Sequence, residues 1–187
     1  MEQQIRAAIA GSITGFHMPR FEDIPGVGLY LEQTVSYINE YLSLIQDSSI
    51  TGSMVSNYVK KKLVSNPVHK QYSREQIATL FFIAVTKSVL SLENIRVLLA
   101  IRSARYEPAA AYNYFCDDLE RVIAFVFGFG EEADEQPASD LPYEKLTEDE
   151  LTAEELQEIE EKKILHNTVI AVTHKIYLDK WILQYSS

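Results

Sequence analysis

A chain of 187 residues that is 47% hydrophobic and 11% aromatic, with seven Gly and six Pro, has a globular composition, which excludes both a disordered chain and an all-β fold dense in turns. Its net charge of −10 would argue against a nucleic-acid partner if it were evenly spread, because a duplex backbone repels an acidic surface. It is concentrated instead: residues 131–161 hold fourteen Asp or Glu and one Lys, whereas Ser48–Arg74 holds no acid and five bases, Lys60, Lys61, Lys62, Lys70 and Arg74.

In chain order, Glu2–Ile9 is expected to form a short helix, and Gly11–Gly28, with Pro19, Pro25 and Gly26, an extended connection. Leu29–Ile45 places Leu31, Val35, Ile38, Tyr41, Leu42 and Ile45 at the spacing of an amphipathic helix. Thr51 or Ser53 is suited to cap the next helix, which should end near Lys62. Pro67 forbids its continuation, and Val68–Tyr72 is short enough to be a wing strand or an irregular loop. Ser73 with Gln76 makes a capping-box pattern opening a helix through about Ser88, and Ser91 caps another through about Ser103. Pro108 marks a boundary between two domains, 1–105 and 106–187. Beyond it, Ala109–Phe127 is expected to be an apolar helix ended by Gly128, and 131–143 a solvated loop. Thr152 with Glu155 repeats the capping box and opens a long helix to about Leu183.

At 100° per residue, Ser53, Ser56, Asn57, Lys60 and Lys61 fall within one arc of about 140°, with Met54, Val55, Tyr58 and Val59 opposite. Short hydrogen-bonding groups near a helix N-terminus can approach base edges, and lysines farther along can reach phosphates. Asn57 is suited to adenine. Lys70 and Arg74 sit where a wing would make a second backbone contact. An ordinary amphipathic surface helix has the same pattern, so the pairing with a basic wing is what favours double-stranded DNA as the partner.

The segments VSNYVKKKLV, the following Pro67, YSREQIATLFFI and LSLENIRVLL resemble the DNA-binding domain of the MerR family of regulators. A longer likeness, carried by MPRFEDIPGVGLYLEQTVSYI, ITGSMVSNYVKKKLV and YSREQIATL over Met18–Leu99, is to a bacterial family defined as domain of unknown function 1836. The chain departs from the MerR pattern at Asn57, where those regulators carry an Arg before the aromatic residue, and at Lys62, where they carry a Gly. Leu29–Ile45 is also longer and farther upstream than the corresponding helix.

Other chemistry is poorly represented. There is no phosphate-cradling glycine loop, no Gly-x-Ser-x-Gly elbow and no His-Glu-x-x-His pattern. His166 and His174 lie about 12 Å apart along one helix, too far to share a metal unaided. Neither a catalytic residue, a metal site nor a cofactor is expected. Cys116 is expected to be a core cysteine. The aromatic run Tyr106, Tyr112, Tyr114, Phe115, Phe125, Phe127 and Phe129 is either core or the lining of a small-molecule pocket.

The sequence therefore predicts an all-α protein: a MerR-like winged helix-turn-helix domain followed by a helical domain for dimerisation or ligand sensing. The expected function is non-catalytic DNA binding as a homodimer, with regulation of transcription and room for a small-molecule effector. Ser53, Ser56, Asn57, Lys60, Lys61, Lys70 and Arg74 are the expected DNA contacts. The alternative is a protein-interaction adaptor that keeps the fold, with the acidic stretch as a lid over the basic patch. A lone cysteine and the lack of any apolar run near the ~20 residues of a membrane span predict a soluble, cytoplasmic protein.

Overall fold

The computed structural model describes residues 2–45, 47–129 and 151–186. The solvated loop expected at 131–143 lies outside them. The described residues are mostly helical, in the order α1 (Glu2–Gly11), a 3-10 turn (Phe21–Asp23), β1 (Leu29–Tyr30), α2 (Leu31–Tyr41), α3 (Gly52–Lys60), β2 (Gln71–Tyr72), α4 (Arg74–Thr86), α5 (Leu92–Arg105), α6 (Pro108–Phe127) and α7 (Ala153–Ser186). The two short strands pair antiparallel, Leu29 opposite Tyr72 and Tyr30 opposite Gln71.

The capping signals act where the sequence put them. Ser73 accepts a bond from the Gln76 N–H while Gln76 Oε1 accepts from the Ser73 N–H at 2.8 Å, and Ser91 caps α5 through Asn94 N–H. Thr152 and Glu155 make the same reciprocal arrangement at the head of α7. Pro108 occupies the first turn of α6, where its missing N–H is harmless, and Gly128 ends that helix with φ +71°. One difference is at Leu29–Tyr30: the apolar spacing assigns them to a helix, but pairing with β2 draws them out as a strand, so α2 begins at Leu31.

Helix α4 is apolar nearly all round and is buried on almost every face, as a central helix must be. It packs against α2 on one side and against α6 and α7 on the other. One continuous core therefore runs from Ile38, Val55 and Tyr58 through Ile77, Phe81 and Ile83 to Leu119, Val169 and Val172. The core crosses the Pro108 boundary without a break.

Polar contacts fasten the N-terminal connection to α6. Arg20 grips Glu120 through two bonds of 2.9 and 2.8 Å, with Asp117 at 2.8 Å, and Met18 N–H donates to the same Glu120 at 2.6 Å. The Glu120 bonds, with a smaller contribution from the two carboxylate charges, raise the affinity of Arg20 for its proton despite partial burial. Between α6 and α7, buried Asp118 faces His166 Nδ1 at 2.9 Å and accepts from Arg121 at 2.7 Å. No described helix is long and apolar enough to cross a membrane.

Candidate nucleic-acid interface

Helix α3 is short, so its placement rests on its ends. At its head, Thr51 accepts from Met54 N–H at 3.3 Å and Gly52 lies against Leu31 of α2. Just upstream, Asn39 of α2 bonds both the N–H and the carbonyl of Ile50. Val55 and Tyr58 are buried beneath, with Met54 and Val59 half-buried at the margins. At its foot, Lys62 N–H donates to Val59 and Leu63 N–H to Tyr58, both at 2.9 Å, around a Lys62 backbone at φ +59°. This is the Schellman arrangement, which favours glycine at the left-handed position. Arg96 of α5 completes the cap by donating to the Lys61 carbonyl at 2.7 Å.

The segment Val68–Gln71 forms a hairpin. Val68 and Gln71 exchange two backbone bonds of 3.1 and 2.9 Å across His69 and Lys70, whose φ values are +49° and +65°. Positive φ at both central residues is the mark of a type I′ turn, usually built from Asn-Gly. The hairpin is anchored from both sides. Gln76, 8% exposed, donates to the carbonyls of Ser65 and Asn66 at 2.8 and 3.2 Å. On the other flank, β1 runs so close that a Cβ on Gly28 would lie 2.8 Å from Gln71 Cβ.

The predicted residues divide in two. Ser53, Ser56, Asn57, Lys60, Lys61 and Lys70 are all exposed. Ser56 Oγ donates to the Gly52 carbonyl at 2.8 Å, and Ser53 Oγ sits 2.9 Å from the Thr51 hydroxyl, so both can still accept. Arg74 is half-buried: its guanidinium donates to the carbonyls of Ile24 at 2.8 Å and Glu22 at 3.3 Å and lies over the Phe21 ring at 5.6 Å. Its donors hold the segment that leads into β1, a role invisible in the spacing.

Lys62 at the foot of α3 and His69 at the hairpin tip are exposed beside this face. Among the described residues, no carboxylate lies within ion-pair distance of Lys60, Lys61, Lys62 or Lys70. The described part of the acidic stretch is engaged elsewhere: Glu161 faces Arg105 at 3.0 Å, Glu158 pairs with Lys162 and Glu160 with Lys163.

Cys116 is buried in α6, and burial pushes its thiol up to about 12. Among the described residues there is no cluster of His, Cys, Asp or Glu suited to a metal ion.

Comparison with curated proteins and with solved structures finds no match. A family model does match, over residues 19–115, more than half of the chain and the whole stretch from the 3-10 turn through α5. The chain belongs to the family described as domain of unknown function (DUF1836).

Proposed function

We propose that this chain is a non-catalytic DNA-binding regulator of transcription, a MerR-like winged helix-turn-helix protein acting as a cytoplasmic homodimer. In this reading α3 enters the major groove, with Ser53, Ser56 and Asn57 toward base edges and Lys60 and Lys61 toward phosphate, while Lys70 at the hairpin tip reaches the backbone alongside.

One observation carries the reading: the chain holds Lys62, His69 and Lys70 in left-handed backbone. Glycine adopts that region freely, whereas each L side chain there costs about 1 kcal/mol. Strain of this kind is maintained where side chains are needed. Here it keeps Lys62 and Lys70 beside an exposed helix face that, among the described residues, has no acidic partner. An adaptor would want an apolar docking face on α3, but no exposed large hydrophobic of the described residues lies on α3; Val27 precedes β1, Tyr30 is on it and Val68 is on the hairpin.

A few phosphate contacts per subunit bind weakly, so paired half-sites on a two-fold dimer are the form that gives useful affinity. Selection of genomic fragments by the purified protein at two salt concentrations tests the proposal. A shared, two-fold-related motif should survive the higher salt. Enrichment that collapses uniformly with salt would reduce the interaction to charge alone and overturn the assignment.

A further inference from the structure

Between α4, α5, α6 and α7 lies a cavity of about 320 Å³. Phe82, Leu98, Ile101, Phe115 and Leu165 give it apolar walls, and Arg102 of α5 and Tyr106 give it polar groups. Arg102 is half-buried, and desolvation lowers its hold on its proton against the opposing charge of Glu75; among the described residues its guanidinium donates to the Thr79 hydroxyl, at 3.0 Å. Among the described residues no carboxylate comes within ion-pair distance of it; on the α7 side of the same cavity Glu158 pairs with Lys162, and Glu161 faces Arg105 at 3.0 Å without a hydrogen bond at its buried Oε2. The Tyr106 hydroxyl is buried and, among the described residues, without a hydrogen-bond partner. A guanidinium that lines an apolar cavity is normally matched by a carboxylate in direct contact, because charge in an apolar setting is costly, and Glu75 acts on Arg102 without reaching that distance.

We propose that this cavity binds a small organic acid, its carboxylate paired with Arg102 and its apolar body seated against Phe82, Leu98, Ile101 and Phe115. An inorganic anion would satisfy the guanidinium and leave the apolar walls uncovered. A neutral hydrocarbon would do the reverse. The volume suits an acid with a chain of six to ten carbons or a single aromatic ring, at the lower end of small-molecule sites, about 300 Å³ and upward.

The site has a direct mechanical connection to the DNA-facing helix. Arg96, which caps the Lys61 carbonyl at the foot of α3, lies on α5 six residues before Arg102, about 9 Å along the axis. A ligand that shifts α5 displaces that cap, so the acid acts as an effector of DNA binding; this second step rests on the function proposed above.

Calorimetry and thermal melting of the full chain with octanoate and phenylacetate, against octanamide and phenylacetamide, test the site without DNA. The acids should bind at least tenfold more tightly than the amides. Arg102→Met should abolish that preference, and Ala111→Leu, which fills the cavity without touching the guanidinium, should weaken both acids at least tenfold. No binding of either acid up to about 1 mM, which corresponds to only ~4 kcal/mol, would overturn the site, as would equal binding of acid and amide or wild-type behaviour of Arg102→Met. Acids that bind as expected while leaving DNA affinity unchanged would overturn the coupling through α5 and leave the site standing. Absence of DNA binding altogether would count against the α3 interface and not against the calorimetric result.

Discussion

Asn39 and Ile50 are joined as two strands would be: Asn39 Nδ2 donates to the Ile50 carbonyl at 2.9 Å and its Oδ1 accepts from the Ile50 N–H at 2.8 Å. One side chain near the end of α2 thus satisfies both peptide groups of the residue just before the α3 cap.

Asn39→Ala should therefore leave an N–H and a carbonyl at that corner without partners and cost about 2 kcal/mol, each such group being worth about 1–3 kcal/mol when desolvated. Urea unfolding measures the loss. Affinity for DNA should fall together with stability, because the variant loosens the helix without touching its exposed face.

Lys62, His69 and Lys70 should behave in the opposite way. Lys62→Gly relieves the left-handed strain at the foot of α3, and His69→Asn with Lys70→Gly installs the favoured type I′ pair. Each change should raise stability by about 1 kcal/mol. DNA binding should weaken in the same variants, with the salt slope falling by about 0.9 for the lost Lys70 contact. Stability and binding moving together would show that the left-handed backbone is incidental.

Gly28→Ala should unseat the hairpin. The new methyl would sit 2.8 Å from Gln71 Cβ, so β1 and β2 must part. A loss of about 1–3 kcal/mol is expected for overpacking of this kind. Hydrogen exchange should show it as lost protection at Tyr72 and Gln71 before any loss in α6.

Cys116 should resist thiol reagents in the folded protein at pH 8 and react promptly once it is unfolded. Burial, the dominant cause, lifts its thiol from near 9 to about 12. Between those values the unfolded chain gives up a proton that the folded chain keeps, so stability falls as pH rises through that window and is unaffected below it. Cys116→Ala should flatten this part of the pH profile.

The face of α3 was legible because it depends on local spacing: burial of Val55 and Tyr58 forces Ser53, Ser56, Asn57, Lys60 and Lys61 outward together. The caps at Ser73, Ser91 and Thr152 were legible for the same reason. What escaped was set by distant partners or by backbone. Val-His-Lys-Gln carries no Asn-Gly signature, so its turn type could not be read, and Lys62 as the left-handed residue replaces the expected glycine. Arg74 donates to the Glu22 and Ile24 carbonyls, some fifty residues away in sequence, a contact that local spacing does not encode. The cavity beside Arg102 has no linear pattern, because its walls come from four helices.

The most direct test of the account is the salt dependence of DNA binding by Lys60→Ala with Lys61→Ala. Both side chains are exposed and, among the described residues, in no ion pair, so the fold should be unchanged by circular dichroism and thermal melting. A plot of log affinity against log salt should lose about 0.9 units of slope per contact removed, with weaker binding at every salt concentration. Unchanged affinity and slope in a folded double variant would contradict the placement of α3 against a duplex.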